Sequence, residues 1–544
     1  MQIKPILLTN CLILDPGRRI KSNKAGGGKL SVESILLKDG LISAVGDYRR
    51  LRNAERRCEV VDLEGKVIMP GIIDSHVHLL QTGYLKTQLD LKGASGIDDI
   101  KLRVKKTAEN KRPGEWIIGR GWDESEFPIP VPPNRWDLDQ AAPCNPVFLI
   151  RVCTHVFAAN TPALQMSGLE SSRAPVQGGA VYRDQEGRLT GILAEKAGDP
   201  IYDIINRDAK MEQEAIRAAI WYMAENGITT AHSMAIGIKD PNHYARLMDS
   251  YREVLREEGY PLRIILGAEC ELLDYLLENK IDFLAGDPFF RQGYIKFFLD
   301  GSLGGRTALL KNEYCDDPGN FGMPVMDVAE LEEISRKAHK NGYQCAFHAI
   351  GDQAAEHSIR TVKSLGDEKN VLRHRMVHAS VVDEVILDIL QKYKIGVDIQ
   401  PGFLSSDYRW LEKRLGPERM KRAYIWKTMI KDKGLLLAGS SDAPVEDAAP
   451  FASIQAAVTR RTLEGEPEGG FLPEESLQLD DMLKCYTVNG AYQYFEENVK
   501  GTIAPGMLAD LAVLSENPHN TEPHQLKNIH AVMTIVGGRI IHQQ

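Results

Sequence analysis

The chain has no Cys-x-x-Cys. Its 8 cysteines are scattered singly, at Cys11, Cys58, Cys144, Cys153, Cys270, Cys315, Cys345 and Cys485, which excludes both a zinc ribbon and a disulfide scaffold and points to a reducing compartment. No apolar run is long enough to span a bilayer. The first ten residues, Met1 to Asn10, also lack an uninterrupted apolar region followed by a small-residue cleavage site, so a cytoplasmic protein without membrane contact is expected. No Lys/Arg-rich run or basic-aromatic interleaving is present, which removes nucleic acid from the partner classes. Neither sign of charge dominates: 75 acidic residues stand against 66 basic ones, which implies ordinary solubility and no more. There is no internal repeat and no low-complexity segment.

What the chain does have is length. At 544 residues it exceeds the usual single-core limit, yet barrels with insertions reach this size, so one large catalytic domain with a smaller companion is expected. Residues 1–68 read as short strands and turns, with Asp39-Gly40 between two apolar runs as a hairpin signal. The same texture returns at Ala509–Leu514 and Ala531–Val536. Neither end supplies many strands alone, so 1–68 and 490–544 are expected to pair into one composite β-sandwich domain.

Between the ends, strand candidates alternate with helical stretches such as Glu212–Glu225, Asp327–Asn341 and Asp383–Tyr393, the pattern of parallel strands joined by crossover helices. The eight strands are Gly71–His76, Ile228–His232, Leu262–Leu266, Tyr294–Asp300, Tyr343–His348, Arg375–His378, Ile395–Ile399 and Leu435–Ser440. The expected fold is therefore α/β, a (β/α)8 TIM barrel over 69–489. One interval is too long: roughly 150 residues separate the first two strands, where a barrel unit takes on the order of 30. An insertion at about 85–215 follows, with a proline-rich run at Phe127–Pro133 and a hairpin pairing Ala180–Arg183 with Arg188–Thr190. It leaves from the C-terminal end of strand one, so it is expected to overhang the barrel mouth.

Chemistry concentrates at strand ends. In Met69-Pro70-Gly71-Ile72-Ile73-Asp74-Ser75-His76-Val77-His78, the imidazoles of His76 and His78 share one face of a buried strand, half of a metal site. Alone, such a pair is more often two hydrogen-bonded core histidines. The other strands reverse that judgement. Strand four adds Lys296, strand five His348, strand six His378, and strand eight leads into Asp442. In a closed barrel these ends face one cavity. Alternation places Lys296, Phe298 and Asp300 on the inward face. Burial disfavours the ammonium form, leaving a neutral amine able to react with carbon dioxide to give a bridging carbamate. The competing reading pairs Lys296 with Asp300 or with a substrate carboxylate.

Together the His-x-His, inward lysine, two single histidines and aspartate resemble the amidohydrolase superfamily of metal-dependent barrel hydrolases. Ile295-Lys296-Phe297-Phe298-Leu299-Asp300-Gly301-Ser302-Leu303-Gly304-Gly305-Arg306-Thr307-Ala308 is similar to the subgroup containing N-substituted formamide deformylases and YtcJ-like proteins. Gly119–Glu124 and Pro146–Leu149 resemble that subgroup's insertion, and Gly501–Leu514 its return to the β-sandwich. Arg151-Val152-Cys153-Thr154-His155 departs from it where many relatives carry Asp-Gly-His.

The resemblance implies two divalent ions, expected to be zinc, with His76, His78 and Asp442 on one, His348 and His378 on the other, and carbamylated Lys296 shared. It further implies hydroxide attack on a polarised carbonyl, with Asp442 moving the proton to the leaving nitrogen. Arg306 is the candidate clamp for a substrate carboxylate, an ordinary salt bridge being the alternative. His155, Trp122 and Glu195 are candidates to line the pocket, and His232 to support a ligand from behind; His339 is expected to be solvated.

The first functional reading is hydrolysis of a non-peptide carbon-nitrogen bond in a linear amide or N-substituted formamide, acting on a small molecule, with a homodimer as the candidate assembly. The second is a mononuclear deaminase with unmodified Lys296. The third is a catalytically inactive scaffold of the same fold.

Overall fold

The computed structural model describes residues 4–17, 32–151, 156–171, 179–205, 209–257 and 262–544. The chain divides into two units, Met1–Leu79 with Ala219–Gln544, and Leu80–Ala218.

The first unit contains a TIM barrel. Its strands are β1 (Ile72–Val77), β2 (Ile228–Met234), β3 (Arg263–Glu269), β4 (Phe290–Phe298), β5 (Cys345–Ala349), β6 (Arg375–His378), β7 (Gly396–Ile399) and β8 (Leu437–Gly439), neighbours in chain order and parallel throughout. Helices between them start where side chains satisfy the first free amides. Asp327 accepts from Ala329 and Glu330 to start Val328–Lys340, and Asp383 accepts from Ile386 to start Glu384–Lys392. Each buries one apolar stripe, Leu331 and Ala338 in the first, Ile386, Leu387 and Leu390 in the second.

The ring closes through a turn. The Asp442 amide donates to the His76 carbonyl at 2.9 Å, and the His78 amide to the Ala443 carbonyl at 2.8 Å. The chain beyond β8 is thereby laid along β1, which sets Asp442 beside both histidines. Strand alternation then stacks the interior: on β4, Tyr294 lies in the floor, Lys296 above it and Phe298 above that. The floor joins Tyr294 to Met234, Ile265, Ala346, Val377 and Tyr494. Arg375 is buried in the same layer, its guanidinium 3.1 Å from Asp398, 2.7 Å from Gln493 Oε1 and 4.3 Å from the centre of the Tyr294 ring.

The chain ends form a second, eight-stranded sheet in this unit. Leu511–Leu514 runs antiparallel beside Val67–Pro70, joining the C-terminal hairpin to the N-terminal strands. One face buries Leu8, Ile35, Ile68, Val513 and Ile535; Leu7 and Leu36 pack with Leu51 and Cys58. Arg263, the first residue of β3, is tied to this sheet by a buried bidentate pair with Asp510, at 2.6 and 2.9 Å.

The second unit is a six-stranded sheet built from Leu89–Asp90, Ile117–Trp122, Val147–Arg151, Val156–Ala159, Leu189–Glu195 and Gly179–Arg183. The last two form an antiparallel hairpin, closed by the Asp184 amide on the Arg188 carbonyl. Two cores flank the sheet, one around Phe148, Phe157 and Leu193, the other around Trp122, Leu138 and Leu149.

All eight barrel strands lie where their apolar runs predict, and two limits differ by more than two residues. β3 continues to Glu269, past the expected end at Leu266, because Gly267-Ala268-Glu269 carries no β-branched signal. β4 begins at Phe290, where Arg291, Gln292 and Gly293 mask the strand pattern.

Candidate metal centre

Strands β1, β4, β5 and β6 and the turn after β8 bring His76, His78, Lys296, His348, His378 and Asp442 together. His76, His78 and Asp442 offer one ligand atom each within 4.8 Å of one another, a group able to hold a metal ion. Asp442 Oδ1 lies 3.1 Å from His78 Nε2 and 3.4 Å from His76 Nε2. Lys296 Nζ, fully buried, stands 3.2 Å from His76 Nε2 and faces the Phe298 ring at 5.2 Å. Burial pushes the Lys296 amine down to about 7, against the attraction of Asp442.

His348 and His378 form the opposite side. His348 Nδ1 and His378 Nε2 face each other at 3.0 Å. Their outer nitrogens are engaged elsewhere: His348 Nε2 lies 3.2 Å from the Gly301 carbonyl and 3.3 Å from Asp300, and His378 Nδ1 lies 2.8 Å from Gln400 Oε1. Asp300 is itself held by amides, accepting from Leu309 at 2.9 Å, Ile350 at 3.1 Å and Gly351 at 2.8 Å. Gly351 permits this, since a Cβ there would meet the Leu309 carbonyl oxygen at 2.1 Å. Burial holds the His378 imidazolium well below its ordinary range, with His348 adding to the effect.

The backbone is forced at these positions. His378, Ala379 and Asp442 have φ of +78°, +49° and +57°, a region non-glycine residues enter at an energetic cost that neighbouring contacts must offset. At Asp442 those contacts include Asp74, which accepts from the Ser441 amide at 3.1 Å and hydroxyl at 2.5 Å and from the His76 amide at 3.3 Å. Tyr294 OH lies 3.3 Å from His76 Nδ1.

Other expected site residues lie elsewhere or are otherwise engaged. Arg306 pairs with Asp316 at 3.0 and 3.2 Å. Trp122 is fully buried in the core of the second unit, and its indole N–H has no partner among the described residues. Glu195 is exposed at the end of a strand in that unit, while His155 lies outside the described residues. His232 is buried on β2, 4.0 Å from the Tyr494 ring. His339 is half-buried rather than freely solvated, its Nδ1 lying 2.9 Å from Nε2 of His374, the residue just before β6.

Sequence reasoning missed Tyr294, Gln400, Asp74 and Glu269. Gln400 had a signal, a polar residue directly after β7 and before Pro401-Gly402. Glu269, whose Oε1 accepts from the Gly237 amide, was hidden by the early end assigned to β3.

The donor set of imidazoles, one carboxylate and a buried amine fits divalent cations that take nitrogen and oxygen ligands. Comparison with known proteins agrees. The chain is 36% identical over 519 residues to the putative amidohydrolase YtcJ of Bacillus subtilis, covering 94% of this chain and 96% of that protein. It is 24% identical over 542 residues to an N-substituted formamide deformylase of Arthrobacter pascens, covering 94% and 95%. A solved metal-dependent hydrolase of uncharacterised function from Pyrococcus horikoshii superposes with a TM-score of 0.78 at 28% identity, covering 96% of this chain and 99% of that one. The sequence profile described as the Amidohydrolase family matches residues 59–542, and the chain belongs to that family.

Proposed function

We propose that this metal-dependent hydrolase cleaves a non-peptide carbon-nitrogen bond, in a linear amide or N-substituted formamide, at a centre of two zinc ions. The observation that carries this reading is the facing pair His348 Nδ1 and His378 Nε2, 3.0 Å apart, with both outer nitrogens already on oxygen acceptors. Two such inner nitrogens repel unless a cation lies against them, and the His76, His78 and Asp442 group is a second seat nearby in the same mouth.

In this reading His76, His78 and Asp442 would hold one ion and His348 and His378 the other, and Lys296, carbamylated by carbon dioxide with loss of one proton, would serve both. Bound divalent ions supply a water acidic enough to act as a nucleophile near neutral pH and polarise the scissile carbonyl. The Asp442 carboxylate takes the proton of the attacking water and returns it to the leaving nitrogen, one group serving two successive steps. The closed floor of Tyr294, Arg375 and Tyr494 keeps bulk water from entering beneath the site. Arg306 meets a substrate carboxylate only by giving up Asp316. A cytoplasmic location suits the seven described cysteines, all free thiols, and among the described residues no helix is long and apolar enough to cross a membrane.

A mononuclear deaminase is the second reading, favoured by the compactness of the His76, His78 and Asp442 group. A panel of N-substituted formamides, linear N-acyl amines and aminated heterocycles separates the two. Formate or carboxylate release from the first two classes supports the proposal, and ammonia release from the third alone overturns it.

A further inference from the structure

The hydrogen bonds behind His378 run in one direction only. The Ile399 carbonyl can only accept, so the Ser440 hydroxyl, 3.0 Å away, donates to it. Ser440 Oγ then accepts from Gln400 Nε2 at 2.8 Å, and that same amide nitrogen faces the Asp398 carbonyl at 3.3 Å. Reversing the Gln400 amide would set its oxygen against the Asp398 carbonyl and break this chain, so Oε1 must face His378. With an acceptor 2.8 Å from Nδ1, that nitrogen carries the imidazole proton and Nε2 carries the lone pair.

We infer that Gln400, held by Ser440, is a positioning residue that sets the tautomer of His378 and so controls the seat it forms with His348. Its consequence rests on the two-ion reading above; its hydrogen bonds do not. Gln400 and Ser440 are 3% and 0% exposed, so water does not compete for these bonds. The ring is also fixed in orientation, lying at 16° to the Phe403 ring with centroids 5.9 Å apart. Among the described residues no bond of this relay reaches His76, His78 or Asp442, so its loss weakens one seat and spares the other. Partners of this kind behind a metal-binding imidazole are worth about 10- to 100-fold in metal affinity.

The test compares wild type with Gln400→Met, which fills the space without a strong acceptor, and Gln400→Glu, which keeps an acceptor for Nδ1–H. Zinc bound per chain is measured by elemental analysis after dialysis at graded free zinc, with circular dichroism as the folding control. Gln400→Met is expected to need about 10- to 100-fold more zinc for its second ion while keeping the first, and Gln400→Glu to bind both as wild type does. Wild-type zinc binding by Gln400→Met, equal loss of both ions, or failure of Gln400→Glu to rescue overturns the inference. Should Gln400→Met not fold, Ser440→Ala is expected to give a smaller loss of the same ion, and an unchanged second ion overturns it. If wild type holds only one ion, the two-ion reading fails by itself. Nitrogen-15 shifts of histidine-labelled, metal-free protein then decide: His378 protonated at Nδ1 in wild type and mixed in the Met or Ala variant supports the relay, and the same mixture in both overturns it.

Discussion

Replacing Arg375 with methionine removes the only cation described within hydrogen-bond reach of Asp398, at a point where both side chains are 0% exposed. The guanidinium also donates to the Ser75 carbonyl at 3.3 Å and Gln493 Oε1 at 2.7 Å and stacks on Tyr294 and Tyr494. Burial already pushes the Asp398 carboxyl up, with Arg375 opposing it. Without Arg375 the carboxylate has an escape: it takes up a proton, and that route sets a ceiling on the penalty. Protonating a group of unfolded pKa near 3.9 requires about 1.4 kcal/mol per pH unit, or about 4 kcal/mol at pH 7. Because the folded variant then holds a proton the unfolded chain has lost, its stability falls as pH rises above about 4. Arg375→Met is therefore expected to lose about 3–4 kcal/mol at pH 7 and about 1.4 kcal/mol less for each unit the pH is lowered, relative to wild type. Arg375→Met with Asp398→Leu, which removes both charges, is expected to recover most of the loss. The assay is urea unfolding followed by tryptophan fluorescence at pH 5.5, 7 and 8.5. A single-variant loss that ignores pH, or a double variant worse than the single, refutes the reasoning.

Asp510 behaves in the opposite sense. Burial alone would raise its carboxyl, but the Arg263 guanidinium more than offsets this and holds it below the ordinary range. Its contribution is present above about pH 4 and is lost as pH falls through the lower folded value, so Arg263→Met should raise the pH of the acid unfolding transition followed by circular dichroism. Asp407 is pushed up to about 6 by burial, against its bond from Tyr424, so wild type loses stability as pH rises from about 4 to 6. Asp407→Asn should flatten that slope in thermal melts and stabilise the protein at pH 8 by about 1–3 kcal/mol. Asp442→Asn should retain the fold, since its backbone bond to His76 is unchanged, while turnover falls at least about 100-fold for lost proton transfer. Steady-state rates on the best substrate found check this, and an active Asp442→Asn variant contradicts the proton-carrying role.

The barrel was legible because each strand is a short apolar run between turn residues, and period two then fixed which side chains of β4 point inward. The group His76, His78, Lys296, His348, His378 and Asp442 was legible for the same reason, since strand ends converge in a barrel whatever their separation in sequence. What lay beyond reading were partners chosen by geometry. Gln400, Tyr294 and Asp74 act through contacts across strands more than 20 residues apart, as in the 22-residue separation of His378 and Gln400. Arg306 shows the converse: its place after β4 was evident, but its capture by Asp316 depends on how a loop folds back. His339 reads as a polar helix position, and only the packing of that helix supplies His374 as its neighbour.

The most direct measurement of the central claim is metal content per chain, by elemental analysis of protein purified without chelators and with bicarbonate present, paired with native mass spectrometry for carbon dioxide bound on Lys296. The account predicts two ions per chain and a carbamylated lysine in the wild type, and a Lys296→Met variant that loses the carbon dioxide adduct and the ion at His348 and His378 while retaining one ion at His76, His78 and Asp442. One ion per chain with an unmodified lysine, or a chain that takes up no metal at all, contradicts it.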